Sequence, residues 1–414
     1  MTIGPEPITR TLRRDTTWGL PGRRCVGLQE RLKAGKDIDV NATSPEIEHA
    51  RSAGLRYVDD RTPGFRRERT RSGFAYVDQR GRAITDDAEL ARIRSLAIPP
   101  AYEDVWICPL AHGHVQATAR DARGRKQYRY HKRWREVRDE NKYRETIAFA
   151  HALPSIRERV ATDAARNDMS RDNVLATVVR LLDATVIRVG NESYARDNDS
   201  YGLTTLRSRH VRVEGDKRIR LRFRGKSGID HAVTIEDRRL AQTIKRCRDL
   251  PGELLFSYLD DSGEAQPVQS DDVNAYLREA SGADFSAKDF RTWAATVTCA
   301  IALEALGPAE TQAQAKSNVL SALALTAKKL GNTPSVCRKA YVHPYVIETY
   351  LDMRVLDLPK SRTKLKADGL DRDELRVLAF LDGQAKHDAA AARLAVLKKS
   401  VSNAKRAKKT TAAA

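Results

Sequence analysis

The chain lacks paired cysteines, clustered histidines and long apolar runs, and each absence removes a class of protein. Its five cysteines, Cys25, Cys108, Cys247, Cys299 and Cys337, are odd in number and widely spaced, with no C-x-x-C pair. Neither a disulfide framework nor a zinc site is expected from that spacing. The nine histidines form no ligand cluster, so no metal and no other cofactor is expected, and phosphate chemistry would rest on arginine and lysine. No apolar run approaches the ~20 residues of a membrane span, and the first residues lack the apolar segment of a secretion signal. A soluble, cytoplasmic protein with no membrane partner is the expectation. No internal repeat is visible.

What is abundant is positive charge. Against 55 Asp+Glu stand 74 Lys+Arg, a formal net charge of +19 over 414 residues. That balance calls for a polyanionic partner, with nucleic acid ahead of a membrane surface. A length above a few hundred residues, 41% of them hydrophobic, accommodates two domains plus tails. We place a basic arm over 1–44, a first domain of mixed strands and helices over 45–153, a mostly helical domain over 154–358 and a basic tail over 359–414. The fold class is α+β: a small N-terminal sheet domain with helices, then a larger helical domain holding a three-stranded sheet.

The arm reads as flexible or loosely docked. Beyond it, Phe74, Tyr76 and Ile84 flank the turn-like Asp78 to Gly81 and suggest a hairpin. Thr85 then caps a helix to about Ala97. Strands follow over Val105 to Cys108, Val115 to Arg120 and Lys126 to Tyr130. Period two puts Tyr128 and Tyr130 on one face of the last strand and Arg129 on the other. Those rings either pack a core or lie against a sugar-phosphate surface, beside Arg120, Arg123, Arg125 and Lys126. A charged helix runs from Lys132 to Leu153, where Pro154 is expected to end it.

In the second domain Ser170 caps a helix with apolar residues at helical spacing from Val174 to Thr185. Arg188 follows among apolar neighbours just before Gly190, and a charge so placed needs an anionic partner, either an internal carboxylate or a phosphate. From Arg218 to Arg224 arginine alternates with Ile219, Leu221 and Phe223, the pattern of a half-buried strand with a basic outer face. With Val211 to Val213 before it and Ala232 to Ile235 after it, this strand forms a meander whose second turn presents Lys226 between glycines. Helices are expected from Ser270 to about Glu279, over Ala287 to Leu306, over Thr311 to Leu330 and over Pro344 to Leu351. Lys288 and Arg291, three apart, share a helix face. Between the last two helices lies LGNTPSVCRKAY, in which Gly331 stops one helix, Pro334 starts a short turn, and Tyr341 ends it beside Arg338 and Lys339. In the tail a short helix from Asp371 to Leu381 is expected, before a Lys/Ala-rich end suited to salt-sensitive, nonspecific affinity.

Four stretches together resemble the type IB DNA topoisomerases, most closely their poxvirus-like and bacterial branch. They are IRVGNESYARDNDSYGLTTL around Arg188, FRGKSGIDH around Lys226, KDFRTW around Arg291, and LGNTPSVCRKAY ending on Tyr341. GRKQYRY resembles the family's DNA-gripping strand. The resemblance implies a catalytic set of Tyr341 as nucleophile, Arg188 and Arg291 as supports of the nonbridging phosphate oxygens, and Lys226 as general acid to the leaving 5′-oxygen. Where poxvirus and nuclear members carry histidine this chain has Asn332, as bacterial members do, which implies a hydrogen-bond donor without a proton-relay role. It implies further DNA contacts from Arg120, Gln127, Tyr128 and Tyr130 in the first domain and from Tyr194 and Lys288 in the second. It also implies action as a monomer clamping around double-stranded DNA, without ATP or metal, at the nucleoid. A tyrosine recombinase shares the nucleophile, but recombinases generally carry histidine three residues before the second arginine, where Lys288 stands here. A noncatalytic basic DNA-binding protein would show the same charge and have no need of Tyr341.

Overall fold

A computed structural model describes residues 8–12, 45–71, 73–122, 124–166, 168–354, 356, 358, 359 and 369–386. It divides into two compact units, Gly22–Arg144 and a second made of Met1–Pro21 with Glu145–Ala414. Arg123, most of the basic arm and the end of the basic tail lie outside the described residues.

The first unit is built on a five-stranded antiparallel sheet in the order Gly73–Val77, Phe65–Thr70, Glu103–Ile107, Val115–Arg120 and Lys126–Tyr130. Ile93 from the helix Asp87–Ser95 joins Val105, Ile107, Ala117 and Ala119 in its core. The last three strands lie where alternation places them. The expected hairpin across Asp78 to Gly81 is reduced to a single bridge between Val77 and Ala83. Gly73–Val77 pairs instead with Phe65–Thr70, whose sequence FRRERT gives no apolar alternation to read. The helix cap is Asp86 rather than Thr85; its side chain accepts from the Glu89 N–H at 2.7 Å.

In the second unit helices surround a four-stranded sheet. Val211–Glu214, Arg218–Arg224 and Asp230–Glu236 form the expected meander, with Ile219, Leu221 and Phe223 buried. A fourth strand comes from the arm: Ile8–Leu12 pairs in parallel with Asp230–Glu236, in register from Ile8 opposite His231 to Leu12 opposite Ile235. A short strand alone is marginal, and pairing with an existing sheet edge supplies the ladder that local sequence cannot.

Pro154 does not end its helix. Lys132–Ala164 is continuous through it, because Phe149, Ala150 and Leu153 before the proline and Ile156 and Val160 after it enter one core. Burial of that many apolar side chains offsets the roughly 3 kcal/mol an interior proline costs. The tail is also partly structured. Residues 372–386 are helical, Val377, Leu378 and Leu381 are buried, and Arg157 binds both Glu374 (2.7 Å) and Asp183 (2.9 Å). No helix among the described residues is long and apolar enough to cross a membrane, and no group of three or more His, Cys, Asp or Glu there could hold a metal ion.

Candidate active site

The segment carrying Arg188 is set by the end of one helix and a close backbone contact. Ser170 caps the helix Arg171–Thr185 through the Asn173 N–H, and the chain leaves it at Val186 with φ 50°. A β-branched residue in that left-handed region is strained by roughly 1–3 kcal/mol. Beyond it, Gly202 packs against Arg188 and Gly190; a β-carbon on Gly202 would lie 2.6 Å from the Arg188 carbonyl oxygen. Glycine is therefore required there for close approach, and the Leu203 N–H donates to that same carbonyl at 2.9 Å. Arg188 is half-buried, and among the described residues no carboxylate lies within ion-pair distance of it. Its recorded partner is neutral: Nη2 donates to Asn332 Oδ1 at 2.5 Å.

Arg188 also lines an open cleft of about 440 Å³ with Tyr194, Tyr201 and Lys226. Lys226 stands at the tip of the meander, on a turn closed by Ser227 (φ 65°) and Gly228 (φ 74°). Its ammonium lies 5.3 Å from the centre of the Tyr194 ring, within cation–π range. Tyr194 comes from the short helix Glu192–Asn198, capped by Asn191. The three side chains are thus brought to one cavity from a helix exit, a short helix and a hairpin tip.

Arg291 is held in another way. It is 4% exposed on the helix Ala287–Leu306. Its Nη1 donates to the Val186 carbonyl and its Nη2 to the Leu330 carbonyl at 2.9 Å. Both carbonyls belong to helix C-terminal ends, which lack intrahelical donors and carry partial negative charge. The fork is therefore spent on two helix ends, and Nε is left buried without a hydrogen-bond partner. Burial first, and the charge of Arg188 second, hold the guanidinium below its ordinary pKa.

The joint LGNTPSVCRKAY follows the local rules. Gln312–Leu330 ends on Gly331 in the left-handed conformation (φ 62°), Thr333 caps the next turn, Pro334 opens it, and Tyr341 follows the helix Pro334–Ala340. With its oxygen accepting from Arg188, the Asn332 amide turns its nitrogen inward; Nδ2 is a second buried donor with no partner. The centre of the Tyr341 ring lies 5.3 Å from the Arg291 guanidinium carbon. Burial pushes the phenol pKa up, but the charge of Arg291 and then that of Arg188 bring it below the ordinary tyrosine value. The cations responsible come from distant sequence, whereas the adjacent Arg338 and Lys339 are exposed. Thr296, which sequence reasoning passed over, fixes the joint by accepting from the His343 N–H (3.1 Å), while its one hydroxyl proton is shared between the Thr292 carbonyl (2.9 Å) and the Tyr341 carbonyl (3.4 Å).

The remaining candidates fall into two groups. Lys288 is exposed although Arg291, on the same helix, is buried. In the first unit Tyr128 is 46% exposed and stacks on Tyr130 with ring centres 5.8 Å apart. Tyr130 itself packs against the small core of Ala50, Ala53, Leu55 and Trp134, so the packing reading holds for that ring, while Tyr128 is left exposed. Arg120 pairs with Asp104 at 3.3 Å and donates to the Gly124 carbonyl, while Gln127 donates to Asp121 at 3.0 Å.

Comparison with known proteins adds to this geometry. Residues 131–368 match the family described as eukaryotic DNA topoisomerase I, catalytic core, and residues 73–121 match bacterial DNA topoisomerase IB, N-terminal domain. DNA topoisomerase 1B of Acanthamoeba polyphaga mimivirus is 32% identical over 296 residues, covering 69% of this chain and 87% of the viral protein. DNA topoisomerase 1B of Vaccinia virus (strain Copenhagen) is 22% identical over 269 residues, 63% of this chain and 80% of that protein. DNA topoisomerase 1 of Mycosarcoma maydis is 29% identical over 178 residues, 38% of this chain and 17% of the fungal protein. With the catalytic-core family matched over more than half its length, the chain belongs to the type IB DNA topoisomerases.

Proposed function

We propose that this DNA topoisomerase relaxes supercoiled duplex DNA by breaking one strand, letting it rotate and resealing it. The Tyr341 oxygen attacks a backbone phosphorus, forming a 3′-phosphotyrosine as the bond from phosphorus to the 5′-oxygen breaks. The electron pair leaves on that oxygen, which takes a proton from Lys226, while the phenol proton passes to solvent. Arg188, Arg291 and Asn332 support the charge that spreads over the nonbridging oxygens. Rotation about the intact strand releases torsion, and attack by the 5′-hydroxyl on the phosphotyrosine reverses the step. One phosphodiester is exchanged for another, so neither ATP nor a metal ion is needed. The enzyme acts as a monomer clamped on one duplex, in the cytoplasm at the nucleoid.

The observation that carries this reading is the acidified Tyr341 phenol beside two buried donors, Arg291 Nε and Asn332 Nδ2, that have no protein partner. Buried donors left unmade cost about 1–3 kcal/mol each, and a bound phosphate would satisfy both. The test is plasmid relaxation in EDTA without ATP. Wild type should relax the plasmid and leave a covalent adduct when trapped with denaturant. Tyr341→Phe should retain DNA binding and lose both activities. Relaxation by Tyr341→Phe, or a requirement for ATP or a divalent ion, would refute the scheme. A recombinase would instead demand a specific site and a second DNA partner.

A further inference from the structure

Tyr201 lines two cavities. One is the cleft with Arg188 and Lys226, and the other is an open groove of about 800 Å³ along the strand Arg218–Arg224. Arg209, Arg220, Arg222 and Arg224 line this second groove, against the carboxylates of Asp199 and Asp230. Its positive charge is not evenly distributed. At the end of the strand remote from Lys226, Arg218 pairs with Glu236 at 3.2 Å and Arg220 with Glu214 at 3.1 Å. Toward Lys226 the pairing fades: among the described residues Arg224 has only Asp199, at 4.0 Å. Arg222 and Arg209 are exposed and have no carboxylate partner among the described residues. Arg209 instead donates to the Tyr201 hydroxyl at 3.2 Å, which fixes it at the wall shared by the two cavities.

Surface ion pairs contribute little to stability, while clustered like charges repel one another. A neutralised end and an unpaired end on one strand therefore mark where an outside anion is expected. Alternate residues of a strand stand roughly 7 Å apart, so Arg222 and Arg224, with Arg209 beside them, present a row of cations to an extended polyanion rather than a single pocket for a small one. The row is continuous, through Tyr201 and the Lys226 hairpin, with the cleft assigned to the scissile phosphate.

We propose that this groove binds the sugar-phosphate backbone of the duplex flanking the break, with Arg209 and Arg222 as phosphate contacts. The inference rests on the DNA-cleaving reading of the neighbouring cleft. It is tested by equilibrium binding of linear duplex DNA over a range of salt concentrations, comparing wild type, Arg209→Gln/Arg222→Gln and Arg218→Gln. Each phosphate contact adds about 0.9 to the slope of log affinity against log salt. The double variant should therefore lose about two from that slope. Arg218→Gln, at the neutralised end, should leave the slope as it is. Both targeted arginines are exposed, so matching melting temperatures should show the fold intact. A double variant with the wild-type slope, or an equal loss in Arg218→Gln, overturns the proposal. Wild-type enzyme that fails to relax plasmid would overturn the parent reading instead, so the two failures are separable.

Discussion

Several cations on the N-terminal sheet and the two arginines nearest Tyr341 are held by different kinds of partner. On the N-terminal sheet and its turns four cations have a nearby carboxylate: Arg82 with Asp78 at 2.8 Å, Arg125 with Asp121 at 2.7 Å, Lys126 with Asp60 at 2.6 Å, and Arg120 with Asp104 at 3.3 Å. Around Tyr341 the partners are neutral. Arg188 rests on an amide oxygen and Arg291 on two helix-end carbonyls. A carboxylate cancels a guanidinium's field, whereas a carbonyl positions the group and leaves most of its charge available to a substrate. The second arrangement suits stabilising charge that appears only in a transition state.

The largest expected effect comes from removing the cation at the meander tip. Lys226→Ala should slow single-turnover cleavage by roughly 10³-fold if it serves as general acid. A substrate whose leaving group needs no proton should recover most of that loss. Full-rate cleavage of ordinary DNA by Lys226→Ala would remove the residue from the reaction.

Giving the catalytic unit the kind of partner found on the N-terminal sheet should erase the distinction. Asn332→Asp places a carboxylate against Arg188 and beside the phenol, and cleavage should fall by about 10²-fold or more. The protein should fold normally, because the new pair is itself favourable. A fully active Asn332→Asp enzyme would mean that the neutrality of these partners has no catalytic role.

The pH profile sharpens the same point. A phenol whose pKa is lowered is deprotonated at lower pH than a free tyrosine, so cleavage should rise with pH and level off below the usual range near 10. In Arg291→Gln the main lowering charge is gone, so the rise should move to higher pH. An unmoved profile would show that Arg291 does not act on the phenol. The smallest effect is expected from Arg120→Ala, whose charge is already matched by Asp104: a change of at most about one in the salt slope of binding, with no change in cleavage at saturating DNA.

Much of this protein is legible locally. Ser170, Gly331 and Pro334 mark helix boundaries because capping and φ preferences act over a few residues, and the alternation from Arg218 to Arg224 is a property of one strand. The FRRERT strand and the strand Ile8–Leu12 escaped the same reasoning, since each depends on a neighbour's ladder rather than on its own apolar pattern. Motif resemblance located Arg188, Lys226, Arg291, Asn332 and Tyr341 as a set, but it was silent on which of their hydrogen-bonding atoms are occupied.

The sequence by itself determined the order of most helices and the basic face of the meander, which follow from short-range periodicity, while resemblance to known motifs supplied the candidate catalytic side chains. Tertiary structure decided which donors remain unspent. Arg188 meets Asn332 across 144 residues, and Arg291 meets Leu330 across 39 and Val186 across 105. Helix ends must find donors for their last carbonyls wherever the packed chain supplies them, and only the folded arrangement shows that the Arg291 fork fills that need while its Nε does not.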